Sequence, residues 1–261
     1  MTFPVDNPEA SDAASDQIVR ALAGASSLTV LTGAGVSAAS GVPTFRGEEG
    51  LWRSHRPERL ATPEAFSENP RLVWEWYQWR KERIAACKPN RAHEVIAEWS
   101  HRYPAFTLIT QNVDGLHERA GTRNVVRFHG SIWEVSCWNG CRSSPARWPD
   151  HTVTYAELPP KCPHCGGLVR PGVVWFGEGI ASETLELAAR ALANDVFLTI
   201  GTSSVVYPAA SLSSAAKARG AFTGEINLEA TPVSAQLDAS VHGAAEVVLD
   251  ELSSRCDDSG R

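Results

Sequence analysis

Four cysteines stand in two close pairs: Cys137 and Cys141 have three residues between them, Cys162 and Cys165 have two, and twenty residues separate the pairs. Thiolates from two tight turns can converge on one metal ion at about 2.3 Å each, as in a four-cysteine zinc ribbon. The run Cys162-Pro-His-Cys165-Gly-Gly supplies such a turn. A redox dithiol at the start of a helix is the other chemistry that a Cys-x-x-Cys spacing allows. The Gly-Gly-Leu-Val-Arg-Pro-Gly that follows Cys165 suits no helix, so one structural zinc ion is the expectation. Cys87 and Cys256 match neither pattern and read as plain thiols.

A second set of chemical side chains follows the apolar runs. Gly33-Ala34-Gly35-Val36-Ser37-Ala38 comes after residues 28–32, Gln111-Asn112-Val113-Asp114 after 106–110, and His129-Gly130 after 125–128. Gly201-Thr202-Ser203-Ser204 comes after 196–200, and the run 225–228 carries Asn227 and Leu228 and leads into Glu229. Glycines at a strand end allow a tight turn and a close approach of backbone N–H groups to a pyrophosphate; a purely structural turn uses the same residues. Asn112 and Asp114 suit a ligand crevice and also suit a helix cap and turn. His129, with an ordinary pKa of about 6.5, could accept a proton near neutrality, and a lone histidine at a strand end is equally compatible with a structural role. Five polar strand ends together favour a ligand site. An ordinary dehydrogenase is disfavoured, because no strand ends in Asp or Glu about 20 residues beyond the glycines. In that place is the loop 40–47, carrying Phe45 and Arg46, which reads either as a nucleotide cover or as a surface connection.

Tyr77 and Arg80 are three residues apart in a predicted helix and so share a face. A hydroxyl and a guanidinium placed this way can converge on one carboxylate. Aromatic packing of Tyr77 with Trp74, Trp76 and Trp79, leaving Arg80 in solvent, explains the same pattern.

The elements that must position these groups follow from periodicity. Residues 28–32, 106–110, 125–128, 196–200, 225–228 and 247–249 read as strands buried on both faces. Residues 16–23, 71–86, 93–102, 182–194 and 208–219 have helical periodicity. Alternation of the two kinds predicts an α/β fold with a mostly parallel sheet. Cys, Pro, Gly and Trp cluster at about 133–172, where a small inserted module is expected. Residues 1–15 and 253–261 are polar and aperiodic, so the folded unit is expected over 16–252 with loose ends.

Composition narrows the class. The 261 residues are 43% hydrophobic and 21% charged, which suits a globular chain rather than a disordered or fibrous one. With 24 basic and 30 acidic residues the net charge is −6, so there is no electrostatic footprint for nucleic acid. No apolar run approaches the ~18 residues that span a bilayer, and the first residues lack a leader pattern; neither membrane nor nucleic acid is an expected partner, and a cytoplasmic location is expected. The oligomeric state is left open, with a monomer as the default.

Together the motifs at 33–47, 110–121, His129-Gly130, Arg170-Pro-Gly-Val-Val-Trp-Phe-Gly-Glu178, 201–210 and 227–229 resemble those of the sirtuins, over about residues 16–250. The resemblance implies an NAD-dependent protein lysine deacylase. It implies a Rossmann-like large domain with helices on both faces of the sheet, and a small zinc domain held by Cys137, Cys141, Cys162 and Cys165. An acylated lysine of a protein substrate would lie in the cleft between them. By the same resemblance His129 is the catalytic base that activates a ribose hydroxyl, after the acyl oxygen displaces nicotinamide. Asn112 and Asp114 belong to the nicotinamide pocket and the catalytic set, and Gln111 faces the ribose. Gly33, Ala34, Gly35, Phe45 and Arg46 match the turn and loop over the cofactor. Gly201, Thr202, Ser203, Asn227, Leu228, Glu229 and Ala245 match the adenosine side. Val173, Trp175 and Phe176 match the segment that pairs with peptide as a strand. Tyr77-x-x-Arg80 resembles the pair that marks the desuccinylase and demalonylase branch. The activity implied is removal of succinyl and malonyl groups, and more weakly acetyl, giving 2′-O-acyl-ADP-ribose. The alternatives are a plain deacetylase, a protein ADP-ribosyltransferase, and a silent sensor of NAD and acyl-lysine.

Overall fold

Runs of β-branched and aliphatic residues without polar interruption suit strands covered on both faces, and most of those runs lie side by side in one sheet. The computed structural model describes residues 8–43 and 56–258. Its strands are β1 (Ser27–Thr32), β2 (Ala105–Thr110), β3 (Val125–Arg127), β4 (Gly130–Cys137), β5 (Trp148–Pro149), β6 (Val169–Val173), β7 (Val196–Ile200), β8 (Phe222–Asn227) and β9 (Ala239–His242). Its α-helices are α1 (Pro8–Gly24), α2 (Gly35–Ala38), α3 (Pro57–Leu60), α4 (Pro63–Glu68), α5 (Pro70–Ala86), α6 (Arg91–Arg102), α7 (Leu116–Arg119), α8 (Ser182–Ala191), α9 (Leu212–Lys217) and α10 (Ala245–Asp258).

The larger sheet has the order β3-β2-β1-β7-β8-β9, and every neighbouring pair in it is parallel. Taken by themselves these six strands follow the doubly wound order of a dinucleotide-binding fold, as expected of a Rossmann-like α/β chain. On one face Leu28, Val30, Leu198 and Ile226 pack with Ile18 of α1, Ile96 of α6 and Leu249 of α10. On the other, Leu31, Ile109 and Phe197 pack with Ala188 of α8 and Ala216 of α9. The order reverses between β1 and β7, so their carboxyl ends frame a crevice there.

A second, antiparallel sheet, β5-β4-β6, is built from the stretch between β3 and β7. Helix α5 lies against it. Asn69 caps this helix by accepting a hydrogen bond from the Leu72 N–H at 3.0 Å, and Pro70 occupies the first turn, where its missing N–H costs nothing. The buried positions Val73, Trp74, Trp76, Tyr77, Arg80, Lys81 and Ile84 recur at helical spacing and form one broad face. Trp74 Nε1 donates to the Val169 carbonyl at 2.7 Å. Lys81 Nζ donates to the carbonyls of Asp150 and Thr152, each at 3.1 Å, and to the Tyr155 hydroxyl at 2.8 Å. Burial pulls its pKa down to about 8 against the opposing charge of Asp150. Two neighbouring cationic side chains of α5 thus face protein rather than water.

Four expectations change. Residues 247–249 lie inside helix α10, with Val248 and Leu249 buried and Val247 exposed, which is helical rather than alternating burial. The sixth strand of the sheet is Ala239–His242. The ends expected to be loose carry helix from Pro8 and as far as Asp258. Residues 208–219 form a single 3₁₀ turn, Ala209–Ser211, followed by the short helix α9.

Candidate active site

At the reversal point the chain needs glycine. The Gly33 N–H donates to the Ile200 carbonyl at 3.1 Å and the Gly35 N–H to the Gly201 carbonyl at 2.8 Å. A Cβ on Gly33 would sit 2.6 Å from Thr202 Cβ, and one on Gly35 would sit 2.8 Å from Gly201 Cα. The ends of β1 and β7 therefore touch through bare backbone, with Ala34 between the two glycines. Gln111, after β2, reaches across this point, its Nε2 donating to Thr202 Oγ1 at 3.0 Å.

Asn112, Asp114 and Ser37 form one network. Asn112 Nδ2 donates to the Gly33 carbonyl at 3.0 Å and to Ser37 Oγ at 3.2 Å. Ser37 Oγ donates to Asp114 Oδ2 at 2.9 Å, and Asp114 Oδ1 accepts the Leu116 N–H at 2.8 Å. A hydroxyl has a single proton, so Ser37 must accept from His93 Nε2, 3.3 Å away. Burial raises the pKa of Asp114 although the Leu116 N–H, the Ser37 hydroxyl and Arg80 all favour its charged form. His93 packs against His117 in a tilted contact, with ring centroids 4.7 Å apart. Thr32 donates to Thr110 Oγ1 at 2.9 Å and so accepts from His117 Nε2 at 3.1 Å. Burial lowers His93 to about 4 and pushes His117 well below its ordinary value. Ser37, His93 and His117 were not singled out from sequence. Ser37 sits within the glycine turn and could have been suspected, whereas His93 only begins the predicted helix 93–102 and His117 follows the run that carries Asn112 and Asp114.

His129 stands between the two sheets, two residues after β3 ends and one before β4 begins. Its Nδ1 lies 3.2 Å from the Gln111 carbonyl. A carbonyl only accepts, so Nδ1 carries the proton and the lone pair is left on Nε2. Burial lowers the pKa of this half-buried ring, and the bond to Gln111 partly offsets that. Gly130 then turns with φ of 78°, and a Cβ there would sit 2.3 Å from the Gly172 carbonyl. The Val174 N–H donates to the His129 carbonyl at 2.9 Å, tying the histidine to the segment after β6.

That segment holds the residues expected to meet peptide. Val173 is buried, whereas Phe176 is 42% exposed. The Trp175 ring is buried and its Nε1 donates to the Tyr77 hydroxyl at 2.8 Å, so its side chain faces the protein interior. Strand β6 lies at the edge of the small sheet, with β4 as its partner. Tyr77 and Arg80 are both buried, 1% and 6% exposed, and not merely one of them, which sets aside the arrangement with Arg80 in solvent. The Arg80 guanidinium lies 5.1 Å over the Trp76 ring. Burial lowers its pKa, while Tyr77 and Asp114 act in the opposite sense, so Arg80 is electrostatically coupled to the pocket of Asn112 and Asp114.

On the far side of the crevice Thr202 is buried and Ser203 half-buried, and the Asn227 side chain closes its turn by donating to the Glu229 carbonyl at 2.7 Å. Leu228 is 70% exposed, and Ala245 opens α10. The Gly243 N–H bonds the Asn227 carbonyl at 2.9 Å, bringing that helix start beside the same turn. Phe45 and Arg46 lie outside the described residues.

The four cysteines come together. Cys137 Sγ is 3.7 Å from Cys165 Sγ and Cys141 Sγ is 3.9 Å from Cys162 Sγ, with all four within 4.8 Å of one another. A tetrahedron with bonds of about 2.3 Å has edges of about 3.8 Å, so the set fits one zinc ion. The wider spacing of Cys137 and Cys141 does not keep either from the cluster.

A doubly wound sheet with a glycine-lined switch point, an amide and a buried carboxylate beside it and a lobe whose four cysteines fit one metal ion define the class, a dinucleotide-binding protein with a second, smaller lobe. Residues 33–208 match the Sir2 family model. An NAD-dependent protein deacylase of Aquifex aeolicus (strain VF5) is 51% identical over 210 residues, 79% of this chain and 85% of its own. NAD-dependent protein deacylase 1 of Archaeoglobus fulgidus is 47% identical over 240 residues, 91% of this chain and 96% of its own. A solved complex of a Sir2 homolog with NAD superposes with a TM-score of 0.87 at 45% identity, covering 94% of each chain. The chain belongs to the Sir2 family, the sirtuins.

Proposed function

We propose that this sirtuin, an NAD-dependent protein deacylase, removes succinyl and malonyl groups from protein lysines in preference to acetyl groups. The observation that carries this reading is the burial of Tyr77 and Arg80 together on one face of α5, with Arg80 coupled to Asp114. A guanidinium and a hydroxyl on one helix face can meet a distal carboxylate, an interaction that acetyl has no group to make, and this favours the acidic acyl groups.

NAD suits the crevice, because the glycines of the switch point leave a backbone cradle that a Cβ would fill. When bound, NAD supplies the ribose that receives the acyl group, with nicotinamide and 2′-O-acyl-ADP-ribose as products. Gly33, Ala34 and Gly35 would line the pyrophosphate side. Gly201, Thr202, Ser203, Asn227, Leu228, Glu229 and Ala245 would face adenosine, and Phe45 and Arg46 would cover the cofactor. Asn112 and Asp114 would hold nicotinamide, with Gln111 at the ribose. His129 Nε2 would take up a hydroxyl proton. The edge of β6 offers the backbone of Val173 for strand pairing with an acylated protein segment, Phe176 lies beside it, and one zinc ion held by the four cysteines would keep that lobe folded. The reading places the enzyme in the cytoplasm.

The test compares succinyl-lysine and acetyl-lysine peptides of one sequence, with and without NAD, for the wild type and Arg80→Met. NAD-dependent turnover with a succinyl preference is expected, and Arg80→Met should cut that preference by about 10- to 150-fold, the worth of a hydrogen bond to a charged group. Equal loss on both peptides would remove the clamp and leave a plain deacetylase.

A further inference from the structure

The Tyr77 hydroxyl is not simply buried; its hydrogen-bond direction is fixed. An indole N–H can only donate, so at 2.8 Å the Trp175 Nε1 obliges the Tyr77 oxygen to accept. This is the hydroxyl's single hydrogen bond among the described residues, and it leaves the phenolic proton to be given to something else. Trp175 is itself held by two residues, Arg170 and Glu178. Arg170 stacks on its ring with the guanidinium carbon 3.6 Å from the centroid. Arg170 also forks onto Glu178, with Nη2 at 2.9 Å from Oε2, and donates to the Val173 carbonyl at 3.1 Å. Glu178 Oε2 in turn accepts the Trp175 backbone N–H at 2.8 Å. Burial alone would raise the Glu178 pKa, but Arg170 and the Trp175 N–H outweigh it and hold the carboxyl below its ordinary range, so the fork stays charged. Burial pushes the Tyr77 phenol up to about 12, partly opposed by Arg80, so its proton remains available at any working pH.

We infer that Trp175, clamped by Arg170 and Glu178, is a positioning residue for acyl selectivity: its indole N–H occupies the acceptor side of the Tyr77 hydroxyl and so dedicates the hydroxyl proton to the distal carboxylate of the acyl group. This rests on the carboxylate reading proposed above. It also joins selectivity to the peptide-facing segment, since the stretch that carries Val173 and Phe176 orients the tyrosine on α5.

The experiment measures kcat and KM on matched succinyl- and acetyl-lysine peptides for the wild type, Trp175→Phe, Tyr77→Phe and the double variant. In Trp175→Phe the succinyl-to-acetyl ratio of kcat/KM should fall about five- to tenfold, the reach of one ordinary hydrogen bond, with the extra loss falling on KM for the succinyl peptide. In the Tyr77→Phe background the same change should leave the ratio where it is, because the group it orients is gone. Replacing the indole N–H by sulfur at position 175, with a benzothienyl amino acid, keeps the ring volume and should reproduce the Trp175→Phe ratio if that variant folds poorly. An unchanged ratio in the sulfur isostere, or parallel loss on both peptides, overturns the inference while the clamp survives. A wild type with no succinyl preference overturns the clamp itself and the inference with it.

Discussion

His129 is kept neutral by burial, and the Gln111 carbonyl fixes its tautomer, so its chemistry is set by two backbone-scale facts rather than by a partner carboxylate. A depressed pKa means that the neutral ring persists below the ordinary value of about 6.5, and with His129 as the base proposed above, activity would be lost only as pH falls through the lowered value. The acid limb of kcat/KM is therefore expected to have its midpoint below 6.5 and to disappear from the profile of His129→Asn together with most of the turnover. A midpoint at 7 or above would assign the base to another group. At this scale the grouping at the crevice was legible from types and positions alone, because glycine, amide, carboxylate and imidazole stand at strand ends that the sheet brings together. Trp175 was not legible in its buried role. A tryptophan in a run of Val-Val-Trp-Phe has no sequence signal for which face it turns to, and the Tyr77 contact that settles it spans 98 residues.

Helices and strands were read well where their burial is uniform. Residues 28–32 and 196–200 are apolar because helices cover both faces, and such runs can hardly be anything but strands once turns bound them. The run Val247-Val-Leu249 failed for the same reason in reverse: three apolar residues carry no period, and only the longer helix shows that Val247 faces outward. Ala239–His242 escaped notice because a four-residue edge strand with polar alternate positions looks like loop. The small sheet is the element most dependent on something beyond its own residues. Its four cysteine sulfurs converge at the end of β4 and around the turn before β6, with Cys137 and Cys162 in a hydrophobic cluster separate from those of the larger sheet. Stripping the metal with a chelator should lower the melting temperature by about 5–10 °C, several kcal/mol at roughly 2–4 °C each, and Cys162→Ser should lose both the zinc and that increment. An identical melt with and without bound zinc would deny the cluster a structural role.

Across the whole molecule, stability is linked to pH through His93 and His117, two buried histidines in contact with each other. His93 and His117 titrate far lower when folded than the ordinary 6.5, so the unfolded chain binds more protons in that interval. Their contribution is fully present above about pH 6.5 and is lost as pH falls toward the folded value of about 4 for His93. His93 alone corresponds to about 3 kcal/mol on this linkage, while Asp114, raised by burial, acts in the opposite sense at the acid end. Chemical denaturation at pH 7 and pH 5 should show a clear fall in unfolding free energy, and the slope should flatten in His93→Gln. An equal slope in the variant would place the proton uptake elsewhere. The topology also has an evolutionary side. The groups at the crevice come from the ends of β1, β2, β7 and β8, whereas Tyr77, Arg80, Trp175 and Glu178 belong to α5 and the stretch after β6, which no strand of the large sheet contains. In the reading proposed here, cofactor use and acyl choice are written in different passages of one gene. A lineage could exchange its acyl repertoire by drift in the second passage while the first, constrained by backbone contacts that tolerate no side chain, stays frozen.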